Sequence, residues 1–76
     1  MQYEVKDITY GQAKEKGDGT VDQSATVMSG IVGDTYGFNK WNDISINYPL
    51  SHTGQQIKDE MTAAAVAMVQ DKYPNT

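Results

Sequence analysis

One segment restricts the possible folds more than any other: Thr53 to Tyr73, an amphipathic helix whose centre is a block of small residues, Ala63-Ala64-Ala65-Val66-Ala67. On a 3.6-residue period, Ile57, Met61, Ala64, Ala65 and Met68 form one apolar stripe. Val66, Val69 and Tyr73 form a second stripe beside it. Together they span roughly 200° of the C-terminal half, whereas about 100° suffices for a helix lying on a core. The first stripe is therefore assigned to the chain's own core, and Val66, Val69 and Tyr73 to a partner. Thr53 is the N-cap, Gln56 completes a capping box, and Pro74 closes the segment.

Before the helix the residues favour strands. Leu50 is the only leucine, and valine, isoleucine, threonine and tyrosine supply the bulk. Tyr3 to Tyr10 reads as a strand, with a shift of apolar phase that predicts a bulge or bend near Lys6-Asp7. Gly11 to Gly19 is polar, and Gly17-Asp18-Gly19 carries the signal of a tight hairpin. Thr20 to Val32 is the second strand, with Val21, Ala25, Val27 and Ile31 on one face; Gly30 and Gly33 mark a bulge or close approach at its end. Tyr36 to Trp41 reads as a short strand. Ile44, Ile46 and Tyr48 alternate with polar residues until Pro49 stops the strand. Trp41 is out of phase with the isoleucines, which predicts a turn or bulge at Asn42-Asp43. The whole chain, 1–76, is expected to be one α+β domain: a small antiparallel sheet of three or four strands with one C-terminal helix packed on one face.

Seventy-six residues bury only about 60% of their unfolded surface. Small chains compensate with disulfides, metals or association, and the absence of cysteine removes disulfides and thiolate zinc sites. Association remains. Ten acidic residues face six lysines, for a net charge of −4, and there is no arginine. Without arginine or a basic cluster, direct nucleic-acid binding is not expected. No basic stretch leads into an apolar run at the N-terminus, so no signal peptide is read there. Ala63 to Val69 is far short of the roughly 20 apolar residues that span a bilayer. A cytoplasmic or virion-associated protein with no membrane partner is the resulting expectation.

Groups with catalytic potential are few. Ser51 and His52 are chain neighbours, which rarely brings hydroxyl and imidazole into productive contact, so His52 reads as a polar loop residue. Asp59 and Glu60 point about 100° apart on a helix and are poorly placed to act as a pair. Asp18, Asp22, Asp34 and Asp43 fit no calcium-loop spacing and read as turn or surface residues. No phosphate-binding glycine motif occurs. Tyr36, Phe38 and Trp41 group around Gly37; at least one is expected to fill the core, with a binding-surface role for the others because aromatic residues are enriched at interface hot spots.

These readings point to a non-enzymatic structural or protein-interaction protein without cofactor or metal, its partner a protein or a second copy. Contact is assigned to Val66, Val69, Tyr73, Tyr36, Phe38 and Trp41. The short, leucine-poor composition suits a bacteriophage accessory or virion component, though no motif carries that reading. The alternative is a small acidic inhibitor or decoy for a basic surface, against which the acidic residues look dispersed along the chain.

Overall fold

The computed structural model describes residues 2–34 and 38–74. Three strands, β1 (Tyr3–Glu15), β2 (Thr20–Ile31) and β3 (Lys40–Pro49), form one antiparallel sheet in the order β1-β2-β3, followed by helix α1 (Gly54–Lys72). This is the expected α+β arrangement, with three strands among the described residues. The molecule is elongated, 42 × 19 × 19 Å, because the first two strands are long.

The β1–β2 hairpin turns where Gly17 and Gly19 take positive φ angles (81° and 88°), conformations that residues with a Cβ rarely adopt. Asp18 accepts the Thr20 backbone N–H at 3.0 Å and also the Thr20 hydroxyl. Strand β1 continues past Tyr10 to Glu15, through residues that read as loop; ladder hydrogen bonds do not require apolar side chains. The register slips between Val5 and Asp7, as the apolar phase shift predicts. A second slip lies between Tyr10 and Ala13. There the buried Gln23 amide donates to Gly11 O (2.9 Å) and Ser24 O (3.0 Å), meeting a carbonyl at the irregular point of the ladder. A Cβ on Gly11 would meet the Ser24 hydroxyl, which would have to rotate away.

Three expectations for the later strands are corrected. No register shift interrupts β3: Lys40 to Pro49 pairs continuously with Ser29 to Thr20. Trp41 is out of phase because it points to the face opposite the isoleucines, which needs no bulge. Gly30 likewise pairs in register with Glu4, and the chain turns after Ile31, where Gly33 takes φ 84°. The short strand expected from Tyr36 to Trp41 begins only at Lys40; 35–37 lie outside the described residues.

Helix α1 opens with the full Thr53/Gln56 capping box, the Gln56 N–H donating to Thr53 Oγ1 at 3.2 Å and the Thr53 N–H to Gln56 Oε1 at 2.8 Å. It packs on β1 and β3 over the core residue Val27. Met61 and Ala65 are fully buried, and Ile57, Ala64 and Met68 are half-buried. The helix is, however, rotated from the expected orientation. Val69 is only 2% exposed and belongs to the core with Val27 and Ala65. Tyr73 is half-buried, its ring stacked on Tyr3 at 4.9 Å between centroids, and its hydroxyl accepts from Asn42 Nδ2 at 3.0 Å. Val69 and Tyr73 are thus not left over for a partner. Tyr3, Val5 and Ile8 of β1 claim them, because the sheet is wide enough to cover the second stripe apart from Val66. Each fully buried side chain of this kind contributes on the order of 1.5–3 kcal/mol.

Candidate interaction surface

The pairing registers sort the sheet's side chains into two faces. Under the helix lie Tyr3, Val5, Ile8, Val27, Ile44 and Ile46, with Asn42 as a polar member. Asn42 bridges the helix end, donating to Tyr73 and accepting from Lys72 Nζ at 2.9 Å. On the opposite, helix-free face lie Glu4, Asp7, Lys14, Asp22, Thr26, Met28, Trp41, Asp43, Ser45 and Asn47. Acids that look dispersed in the sequence are therefore gathered by topology: Glu4, Asp7, Asp22 and Asp43 share one face.

Hydrogen bonds hold several of these carboxylates in the ionised form. Asn47 Nδ2 donates to Asp22 at 2.7 Å, and this bond, with Lys16 at 3.4 Å, holds the Asp22 carboxyl below its ordinary range. The Thr20 hydroxyl and N–H do the same for Asp18, and Lys6, at 2.7 Å, for Glu4. Asp43 Oδ1 accepts from Thr26 Oγ1 at 2.8 Å. His52 stacks on Tyr48 at 5.7 Å, with Nε2 3.0 Å from Glu60 Oε1, and thereby anchors the β3–α1 loop to the helix. Among the described residues, no three His, Cys, Asp or Glu side chains group as metal ligands would.

Two described members of the predicted aromatic group are conspicuously exposed. Trp41 is 63% exposed beside Met28 on the helix-free face. Phe38 is 70% exposed and held at φ 53°, a left-handed conformation unusual for a bulky residue. Tyr36 lies outside the described residues. Val66, the surviving member of the second helix stripe, is exposed and lines a groove of about 250 Å³ with Val5, Val32 and Val69. The structure separates Val66 from Trp41: one lies between α1 and β1, the other on the far side of the sheet.

The sheet's two outer edges differ in a way that residue typing does not reveal. The Leu50 N–H donates to Gly19 O at 3.0 Å, which sets the phase of the β2–β3 ladder. Even-numbered residues of β3 turn their backbone groups toward β2, while Trp41, Asp43, Ser45 and Asn47 turn theirs outward. That outward row is unbroken. On β1 the Lys16 N–H to Thr20 O bond (3.0 Å) and the Val32 N–H to Gln2 O bond (2.9 Å) fix the phase in the same way. Its outward residues are Tyr3, Val5, Ile8, Tyr10, Ala13 and Glu15, a row interrupted by both register slips.

Comparison with models of known families, with curated protein sequences and with solved structures finds no match to this chain. No helix among the described residues is long and apolar enough to cross a membrane.

Proposed function

We propose that this chain is a non-catalytic protein-interaction module that associates with itself. One observation carries the reading: an unbroken strand edge on β3, uncovered among the described residues, runs beside the exposed Trp41. A free, regular edge is a ready template for another strand, and natural proteins ordinarily blunt such edges with bulges, prolines or cover. An exposed tryptophan at the same place supplies the apolar anchor typical of binding hot spots. Light scattering at micromolar concentration tests the proposal. Mass above the 8.4 kDa of one chain is expected, and a strict monomer would refute self-association.

A second reading is favoured by the gathering of Glu4, Asp7, Asp22 and Asp43 on the helix-free face. Such a surface suits a basic patch on another macromolecule, as an acidic inhibitor or decoy would require. Affinity for a lysine-rich protein should then fall steeply between low and high salt, and salt-independent binding would rule this reading out.

A further inference from the structure

Resting on that self-association reading, we infer that the partner is a second copy of this chain docked β3 to β3, antiparallel, about a two-fold axis through Ile44. The outward-facing residues of β3 are Trp41, Asp43, Ser45 and Asn47. This set is symmetric about Ile44. Antiparallel pairing centred there sets Asp43 opposite Ser45 of the second copy and Trp41 opposite Asn47. All four outward N–H groups and all four outward carbonyls on each copy then meet partners. Pro49, which has no N–H to give, falls outside the paired stretch.

Neighbouring registers are poorer. Centring on Ser45 sets Trp41 against Pro49 and loses a donor at each end. Centring on Asp43 sets two carboxylates directly opposite each other, a destabilising pair, and leaves Asn47 facing Asn39, beyond the strand.

Side chains agree with the Ile44 register on both faces. On the helix-free face the Ser45 hydroxyl can donate to the second copy's Asp43, of which Oδ1 alone is engaged among the described residues, by Thr26. Trp41 gains cover beyond Met28. On the helix side the half-buried Ile44 meets its own copy as a close pair. Lys40, without an ion pair among the described residues, falls opposite Tyr48 of the second copy, next to the His52–Glu60 pair, so its charge lies toward a carboxylate. Each helix sits over its own β2, about three strand spacings (~14 Å) from the other, so the two do not collide.

Cysteine cross-linking reads the register directly, since the chain has no cysteine of its own. Full-length Ser45→Cys and Asp43→Cys, tagged to differ in mass, are mixed and oxidised in aerated buffer. The mixed disulfide should predominate, because directly opposite residues lie about 5.5 Å apart, within disulfide reach. Either homodisulfide would need to bridge a diagonal of about 7–8 Å. A dominant Ser45→Cys or Asp43→Cys homodisulfide, or no cross-link in a sample that light scattering shows to be associated, overturns the Ile44 pairing while self-association stands. A sample monomeric by scattering overturns both.

Ser45→Pro supplies an independent check. It removes an outward N–H that has no partner among the described residues, so circular dichroism should keep its native form while the apparent mass halves, to 8.4 kDa. A folded Ser45→Pro variant that remains associated would overturn the pairing.

Discussion

Strands β1 and β3 flank the same central strand and pack under the same helix, yet they end the sheet in opposite ways. On β1 the row of outward backbone groups is broken twice, between Val5 and Asp7 and between Tyr10 and Ala13. On β3 it runs unbroken from Trp41 to Asn47. A bulge adds twist and spoils the spacing that a further strand would need, so β1 is protected and β3 is available. Register makes this difference; the two strands carry two aromatic residues each and β-branched residues in similar measure, although β1 holds three acids to the one on β3.

The largest test of the contrast removes the element common to both edges. Met61 is fully buried under α1, and Met61→Ala should cost about 2–5 kcal/mol in urea denaturation. With the helix loosened, association through β3 should rise while β1, still bulged, stays protected. Equal association through both edges would show that helix packing rather than the bulges protects β1.

Deleting Lys6 attacks the contrast itself. Lys6 is the extra residue between the Val5–Ser29 and Asp7–Met28 pairs, so its removal leaves every other pairing in place and straightens the first half of β1. Stability should change little, since the Lys6–Glu4 pair lost is exposed and the remaining effect is altered local twist. Light scattering should show a new mode of association that Ser45→Pro does not suppress. If the deletion leaves association unchanged, the bulge is not what protects β1.

A smaller effect is expected where the helix end joins the sheet. Tyr73→Phe keeps the ring stacked on Tyr3 but leaves Asn42 Nδ2 without its acceptor. A loss of about 1 kcal/mol should follow, measurable as a shifted urea midpoint. Loss of the Tyr3–Tyr73 contact from the NMR spectrum would mean instead that the hydroxyl positions the ring.

Smallest is a pH effect on the β2–β3 contact. The Asp22 carboxyl is held below its ordinary range, first by Asn47 and then by Lys16. A depressed folded pKa stabilises the fold above the unfolded value, and that contribution fades as pH falls through the folded one. Asn47→Ala should therefore raise the Asp22 midpoint in an NMR titration toward an ordinary aspartate. An unmoved midpoint would leave Lys16 as the group responsible.

Much of the secondary structure was legible in the residues. The capping box at Thr53 and Gln56, the Gly17-Asp18-Gly19 hairpin, the Ile44 to Tyr48 alternation, the Pro49 stop and the first bulge are all local effects, and local chemistry decides them. The candidate site was read less well. Phe38, Trp41 and Val66 are exposed, so neither described member of the aromatic group fills the core. Val69 and Tyr73 were misassigned because periodicity ranks the faces of a helix but does not reveal how wide the opposing surface is. Asn42 gave no apolar signal, so its bonds to Tyr73 and Lys72 could not be read from the sequence.

The sequence by itself determined the element types, their order and where the chain turns, since these follow from propensity, capping and turn chemistry within a few residues. Only the tertiary structure decided that the helix turns Val69 and Tyr73 inward with the first stripe and leaves Val66 outside, that four acids share one face, and that β3 rather than β1 carries the open edge. Each of those depends on strand pairing register, and register is a relation between segments distant in the chain. A slip of one residue leaves the composition unchanged and alters which backbone groups and side chains meet.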